Sequence, residues 1–159
     1  MFMSEFGAPE VRFGEPRRTP THLGGGLEFA LRRRVTIVGQ WTLSIEQCQW
    51  EVMVGDDCLA HSESDELTLR GALRVIDGQA LVAVDTDSST AITRFEFDLG
   101  AVLTVRPYDS SPGIEGPNLM WNLRTPANLH LAVRDDRTFS LSSGESSPHD
   151  DEWRPVCAD

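Results

Sequence analysis

A chain of 159 residues, 40% of them hydrophobic, is sized for one ordinary domain with a real core, and it holds no apolar run near the roughly eighteen residues that a membrane-crossing helix needs. Its formal charge is -11, all fourteen basic residues are arginine, and residues 35–159 hold eight arginines against twenty-one acids. Such a surface repels nucleic acid and anionic lipid, which bind through basic patches that release counterions, and it favours a basic protein partner.

The first residues, Met-Phe-Met-Ser-Glu-Phe, lack the basic start and apolar stretch of a signal peptide, so the expected compartment is the cytoplasm. Residues 1–26 contain Pro9, Pro16, Pro20 and Gly24-Gly25-Gly26 without sustained periodicity, and are expected to form a flexible N-terminal arm. From Leu27 the pattern changes. Val35 to Val38, Trp41 to Ile45 and Trp50 to Val54 are β-branched or aromatic runs separated by Gly39-Gln40 and by Glu46-Gln47-Cys48, a spacing suited to a meander that closes with a short strand from Cys58 to Ser62. Asp65 and Glu66 then precede Leu69, Leu73 and Ile76 at three- and four-residue steps, which predicts a short helix ended by Asp77-Gly78, with Gly71 as its weak point. Ala80 to Asp85, Ile92 to Phe97 and Ala101 to Arg106 read as strands, and Pro107 to Pro117 as a loop. Residues 143–159 read as an acidic C-terminal tail that Trp153 can pin to the body.

The last strands repeat the first ones. Trp41 and Leu43 match Trp121 and Leu123; after a one-residue slip, Trp50, Val52, Val54, Asp56 and Asp57 match Leu129, Leu131, Val133, Asp135 and Asp136. Apolar residues spaced by two, followed by an Asp doublet, describe a strand entering a hairpin. The expected architecture is therefore mainly β: antiparallel meander sheets, barrel or sandwich-like, built from two similar β units with one short helix between them. A single domain is expected over residues 27–142, with its pseudo-repeat units at 27–64 and 79–142.

Chemistry-bearing patterns are few. The doublets Asp56/Asp57 and Asp135/Asp136 sit where turns need Asp, whose carboxylate bonds nearby main chain; general acid–base or metal roles are the alternative. Asp85, Asp87, Ser89 and Glu96 match positions one, three, five and twelve of a calcium-binding EF-hand loop, but Thr90 stands where that loop needs glycine and the flanks read as strands. His22, His61, His130 and His149 share no ligand spacing. Cys48, Cys58 and Cys157 form no C-x-x-C pair and are expected as free thiols, Cys48 and Cys58 half-buried. No nucleophile elbow, Walker loop or dinucleotide fingerprint occurs, so no cofactor is expected. Trp41, Trp50, Trp121 and Trp153 fit either core positions or interface anchors.

Leu69 to Val75 or Gly78 to Val84, Phe95 to Gly100 ending in Phe-Asp-Leu-Gly, and Trp121-Asn-Leu-Arg-Thr-Pro126 together resemble small uncharacterised bacterial β-rich proteins of the toxin-immunity type, over about half the chain. The resemblance implies an immunity or inhibitor protein for a cationic toxin or nuclease. The expected function is accordingly a non-catalytic acidic binding protein with a basic partner and no nucleic acid or membrane ligand. Its candidate contact residues are Asp56, Asp57, Asp135, Asp136, Trp41, Trp121, Asp150, Asp151 and Glu152. The alternatives are a β-barrel for a small apolar ligand with tryptophans at its mouth, a structural subunit of a larger assembly, and an enzyme built on a carboxylate pair.

Overall fold

A computed structural model describes residues 2–3, 9–22, 33–108, 116–143 and 152–157. It is mainly β, with two open antiparallel sheets. The strands are β1 (Phe2–Met3), β2 (Pro9–His22), β3 (Arg33–Ile45), β4 (Gln49–Val54), β5 (Asp57–His61), β6 (Leu81–Thr86), β7 (Thr93–Phe97), β8 (Ala101–Arg106), β9 (Leu119–Arg124), β10 (Leu129–Arg134), β11 (Thr138–Ser143) and β12 (Arg154–Pro155). Helix α1 (Glu66–Ile76) lies between β5 and β6 in the chain. One sheet has seven strands in the order β1-β2-β3-β9-β10-β11-β12, the other five in the order β5-β4-β8-β7-β6. Neither list returns to its own start, so among the described residues no barrel closes.

Alternation builds the core. Val11, Leu43, Leu123 and Leu131 lie in one cross-strand row of the larger sheet, and Ile45, Trp121 and Val133 in the next. Opposite them, Ala60, Val52, Leu103 and Phe95 form a row of the smaller sheet. Both sets belong to one buried cluster, with half-buried Leu131 packed against it, where each large apolar side chain removed from water contributes about 1.5–3 kcal/mol. Rings join the layers: Phe95 meets Trp121 edge-on at 5.1 Å, and Phe13 meets Phe97 edge-on at 6.1 Å.

The helix forms where its sequence signals place it. Asp65 is the N-cap, its carboxylate accepting from the N–H of Leu67 at 2.9 Å and of Thr68 at 3.1 Å. The hydroxyl of Thr68 also donates to it, and these bonds hold the Asp65 carboxyl below the usual carboxylate range. Leu69, Ala72, Leu73 and Ile76 are the buried stripe, and Gly78 at φ +88° lets the chain leave.

Three expectations are corrected. The stretch read as a flexible arm contains β2, whose fourteen residues pair along β3. Its prolines are tolerated because Pro16 and Pro20, four residues apart, lose their N–H on the same side of a strand that β1 covers only opposite Pro9 and Glu10. Gly39-Gln40 is no turn: β3 runs straight through it, and Gly39 faces the register slip between Phe13 and Pro16, where a side chain would overlap the Phe13 main chain. The two similar units also differ in topology. β9, β10 and β11 form a meander in one sheet, because Thr125 to Asn128 make a tight reversal with Asn128 at φ +60°. The first unit splits: Glu46 and Gln47 donate to the carbonyls of Met120 and Leu119, and buried Cys48 carries the chain into the second sheet. The expected acidic tail includes a described piece, β12, paired with Thr138 and Phe139, while Arg134 sits 3.5 Å over the Trp153 ring.

Candidate partner-binding surface

The Asp doublets, alike in sequence, lie at opposite ends of the molecule. β3 ends at Ile45, level with Trp121 and Val133, and the β10–β11 turn holding Asp135 and Asp136 lies just beyond Val133. The bonds of Glu46 and Gln47 keep the crossing at this end, and β4 then runs away from it. Asp56 and Asp57 lie beyond the far end of β4, about 20 Å along a six-residue strand. The two doublets therefore share no single site.

Their roles differ as well. Gly55, at φ +58°, and Asp56 form the two-residue turn between Val54 and Asp57, leaving both carboxylates exposed. Asp135 is instead a structural clasp: its two oxygens accept the main-chain N–H and the side-chain amide of Asn118, each at 2.8 Å, and its own N–H donates to Asn118 O. Asp136 accepts from the N–H and hydroxyl of Thr138, closing its own turn. Of the two doublets, only Asp56/Asp57 presents two carboxylates free of such bonds.

Charge pairing sorts by residue type. The five ion pairs among the described residues are Glu10–Arg12, Glu66–Arg70, Glu96–Arg94, Glu51–Arg106 and Glu152–Arg154. Each uses glutamate, from a strand, a helix or the tail segment; most of the described aspartates instead sit in turns and caps, and none takes part in these pairs. Unneutralised negative charge therefore collects at the loops. Four exposed aspartates gather at the far end of the smaller sheet, because β4 pairs with β8 so that Val54 lies opposite Ala101, and Phe97 of β7 lies opposite Leu81. That register brings the β4–β5 turn, the β7–β8 turn and the α1–β6 link to one end, with exposed Asp56, Asp57, Asp77 and Asp98. Asp98 accepts the Ala80 N–H at 2.8 Å, which ties the link to the turn. Among these carboxylates stands Leu99, 73% exposed, on a turn closed by Gly100 N–H to Phe97 O. Asp77, Asp98 and Leu99 escaped the sequence reading, since each is an ordinary turn residue until the sheet register groups them.

The remaining candidates disperse. Trp121 is 1% exposed and belongs to the core, which removes it as a contact anchor. Trp41 is half-buried and stacks on Phe13 with centroids 6.2 Å apart, so it keeps one accessible side at the sandwich rim. Glu152 is exposed and bonded to Arg154, which holds its carboxyl below the usual range; Asp150 and Asp151 lie outside the described residues. Trp50 is buried, so tryptophans do not line a barrel mouth.

The calcium pattern resolves into a hairpin. Asp87 accepts from the N–H and hydroxyl of Ser89 and the N–H of Thr90, a closed turn whose hydroxyl bond lowers its carboxyl below the usual range. Asp85 lies on β6 opposite Arg94, and Glu96, beside Ala83 in register, is carried back along β7 into its pair with Arg94. Among the described residues no trio of His, Cys, Asp or Glu is grouped to hold a metal. His61 and His130 lie on different sheets. Cys48 is buried, whereas Cys58, expected half-buried, is exposed, as is Cys157.

The opposite end of the smaller sheet holds a polar cleft of about 210 Å³ lined by Gln49, Trp50, Glu51, His61, Ser62, Glu63 and Arg106. Its charges are largely committed: Arg106 pairs with Glu51, and His61 Nδ1 accepts the Glu63 N–H at 3.3 Å. No helix among the described residues is long and apolar enough to cross a membrane. Comparison of the chain with family models, curated proteins and solved structures finds no match.

Proposed function

We propose that this is a non-catalytic acidic binding protein that captures a basic protein partner, acting as an immunity or inhibitor protein for a cationic toxin or nuclease. The observation that carries the reading is the acidic end of the smaller sheet: Asp56, Asp57, Asp77 and Asp98, none in an ion pair among the described residues, set around the protruding Leu99. Aspartates carried on turns have short side chains, so a cationic surface meets them without ordering long ones. Long-range attraction accelerates encounter, and an apolar side chain at the centre of the patch supplies contact that salt does not screen. The resemblance to immunity-type proteins supports the same reading. An apolar-ligand barrel finds no support in two open sheets with a filled core.

The test compares wild type with the quadruple variant Asp56→Asn, Asp57→Asn, Asp77→Asn and Asp98→Asn, which keeps the oxygen acceptors and removes four charges. Each protein is immobilised and exposed to host extract at low and high salt. A basic protein retained by wild type at low salt and lost by the variant supports the proposal. Equal retention by both, or retention of no basic protein, refutes it.

A further inference from the structure

The four sheet edges differ in their protection, and at the larger sheet the end strands cover only Pro9 and Glu10 of β2 and Thr138 and Phe139 of β11. β1 and β12, at the two ends of the larger sheet, are two-residue strands. β5 has α1 packed beside it, a register slip opposite Val52 and Met53, and polar Asp57 and His61 at its ends. Short edges, bulges, charges and covering elements are the devices by which sheets avoid unwanted pairing. β6 has fewer of them. It is a full six-residue strand with one neighbour, and its four central residues, Val82 to Asp85, are all exposed. Val82 and Val84 leave 60% and 40% of their surface in solvent. A bulge interrupts pairing with β7 only at Val82; Ala83 to Thr86 stay in register with Glu96 to Thr93.

The hairpin fixes which backbone groups are unused. The Asp87 N–H donates to Ile92 O across the hairpin. Antiparallel alternation then turns the N–H and C=O of Thr86 and Val84 away from β7. These groups form a short template for one more strand, flanked by apolar Val82 and Leu99.

We propose that the free edge of β6 receives an extended segment of the partner by strand addition, a segment with β-branched residues at its centre and Arg or Lys at its flanks. Charge selects this occupant. Asp85 and Asp87 bracket the upper part of the template, and the acidic end lies below it, so a basic flank is attracted. A second copy of a chain with net charge -11 would bring the same aspartates together and is disfavoured. Main-chain bonds to Val84 and Thr86 fix the register, and Val82 and Leu99 contact alternate side chains of the incoming strand. This assignment rests on the proposed function above for the sign of the partner's charge, but the strand addition itself does not depend on it.

The experiment uses the full chain with two capped synthetic peptides, Arg-Thr-Val-Thr-Val-Thr-Arg and the same sequence with Glu at both ends. Amide hydrogen exchange is followed by NMR, together with binding at low and high salt. The Arg peptide is expected to bind about tenfold more tightly than the Glu peptide at low salt and to slow exchange at Val84 and Thr86. Val84→Pro, which removes an outward N–H and leaves the β7 ladder intact, is expected to stay folded by circular dichroism and lose the Arg peptide. Unchanged exchange at Val84 and Thr86 under saturating Arg peptide overturns strand addition, and salt-dependent binding elsewhere on the acidic end would then leave the basic-partner reading standing. Equal protection by both peptides keeps strand addition and refutes the basic-partner reading. Binding of neither peptide overturns the assignment. So does a dimer, seen by sedimentation, that already protects these amides.

Discussion

Trp121 on β9 donates its indole N–H to the hydroxyl of Thr93 on β7 at 3.0 Å, a side-chain hydrogen bond that crosses from one sheet to the other inside the core. Both residues are buried, and Thr93 Oγ1 lies 3.1 Å from the Thr86 hydroxyl and 3.4 Å from Ala91 O. A large aromatic ring can fill the core at this position because its polar atom meets a partner. The contact also fixes how the sheets sit on each other, and so where the β6–β7 hairpin projects.

Thr93→Val keeps the volume and removes the acceptor, leaving the Trp121 N–H buried and unbonded. The expected loss is about 1–3 kcal/mol, read as a lower urea midpoint with an unchanged slope. Thr93→Ser, which keeps the hydroxyl, is expected to lose less. In Trp121→Phe the orphaned donor is gone, so adding Thr93→Val to that variant should cost less than adding it to wild type. Additive losses would show that the hydrogen bond contributes nothing.

Two glycines predict opposite outcomes for one substitution. Gly39 lies against the Phe13 main chain, where a Cβ displaces backbone and not the tip of a flexible side chain. Gly39→Ala is expected to cost about 1–3 kcal/mol through overpacking. Gly71 is on the exposed face of α1 with nothing within 4 Å of an added Cβ. Gly71→Ala is expected to stabilise by about 1 kcal/mol through helix propensity. Thermal unfolding of the two variants side by side checks both, and two shifts of the same sign would refute the pair.

Much of this architecture is legible from the chain. The alternation in β4, β7 and β8 and the capping signals of α1 are local, and each structure forms within a few residues of its signal. The misreadings arise where distant chain decides. Pro16 and Pro20 argue against a strand until β3 supplies a ladder on one side only. Gly39 looks like a turn because its reason for being glycine is the Phe13 backbone, twenty-six positions earlier. The duplicated Asp pairs look equivalent, although Cys48 sends one copy across to the other sheet. The acidic end is least legible of all: Asp56, Asp77 and Asp98 become neighbours only through the pairing of β4 with β8 and of β6 with β7.

Asp65 should leave a pH signature. Its hydrogen bonds to Thr68 and Leu67 hold its folded-state carboxyl below the ordinary value of 3.8. Capping stabilisation is therefore present above the unfolded-state pKa and is lost as pH falls through the folded one. Asp65→Ala is expected to lower Tm by about 2–4 °C at neutral pH. The gap from wild type should close toward pH 3 and below; a gap that stays constant through that range would show that the charge of Asp65 is irrelevant to the cap.

Cys48 makes the opposite case, at the alkaline side. It is 2% exposed at the point where the chain crosses between sheets, its thiol donating to Met120 O at 3.2 Å. Burial, the largest cause, pushes the thiol up from 9.0 to about 12. At neutral pH it stays protonated and shielded, so iodoacetamide on the folded protein should modify Cys58 and Cys157 and spare Cys48, a pattern that peptide mass spectrometry reads directly. The unfolded chain releases this proton near pH 9 and the folded chain near 12. The contribution to stability is thus flat below pH 9 and falls as pH rises between those values, by at most about 1.4 kcal/mol per pH unit. Cys48→Ala leaves a small cavity and lowers stability at pH 7, yet it has no proton to release, so its stability should decline less steeply than wild type's above pH 9. Parallel alkaline limbs in the two proteins, or rapid alkylation of Cys48 at pH 7, would show that the crossing between the sheets is open to solvent.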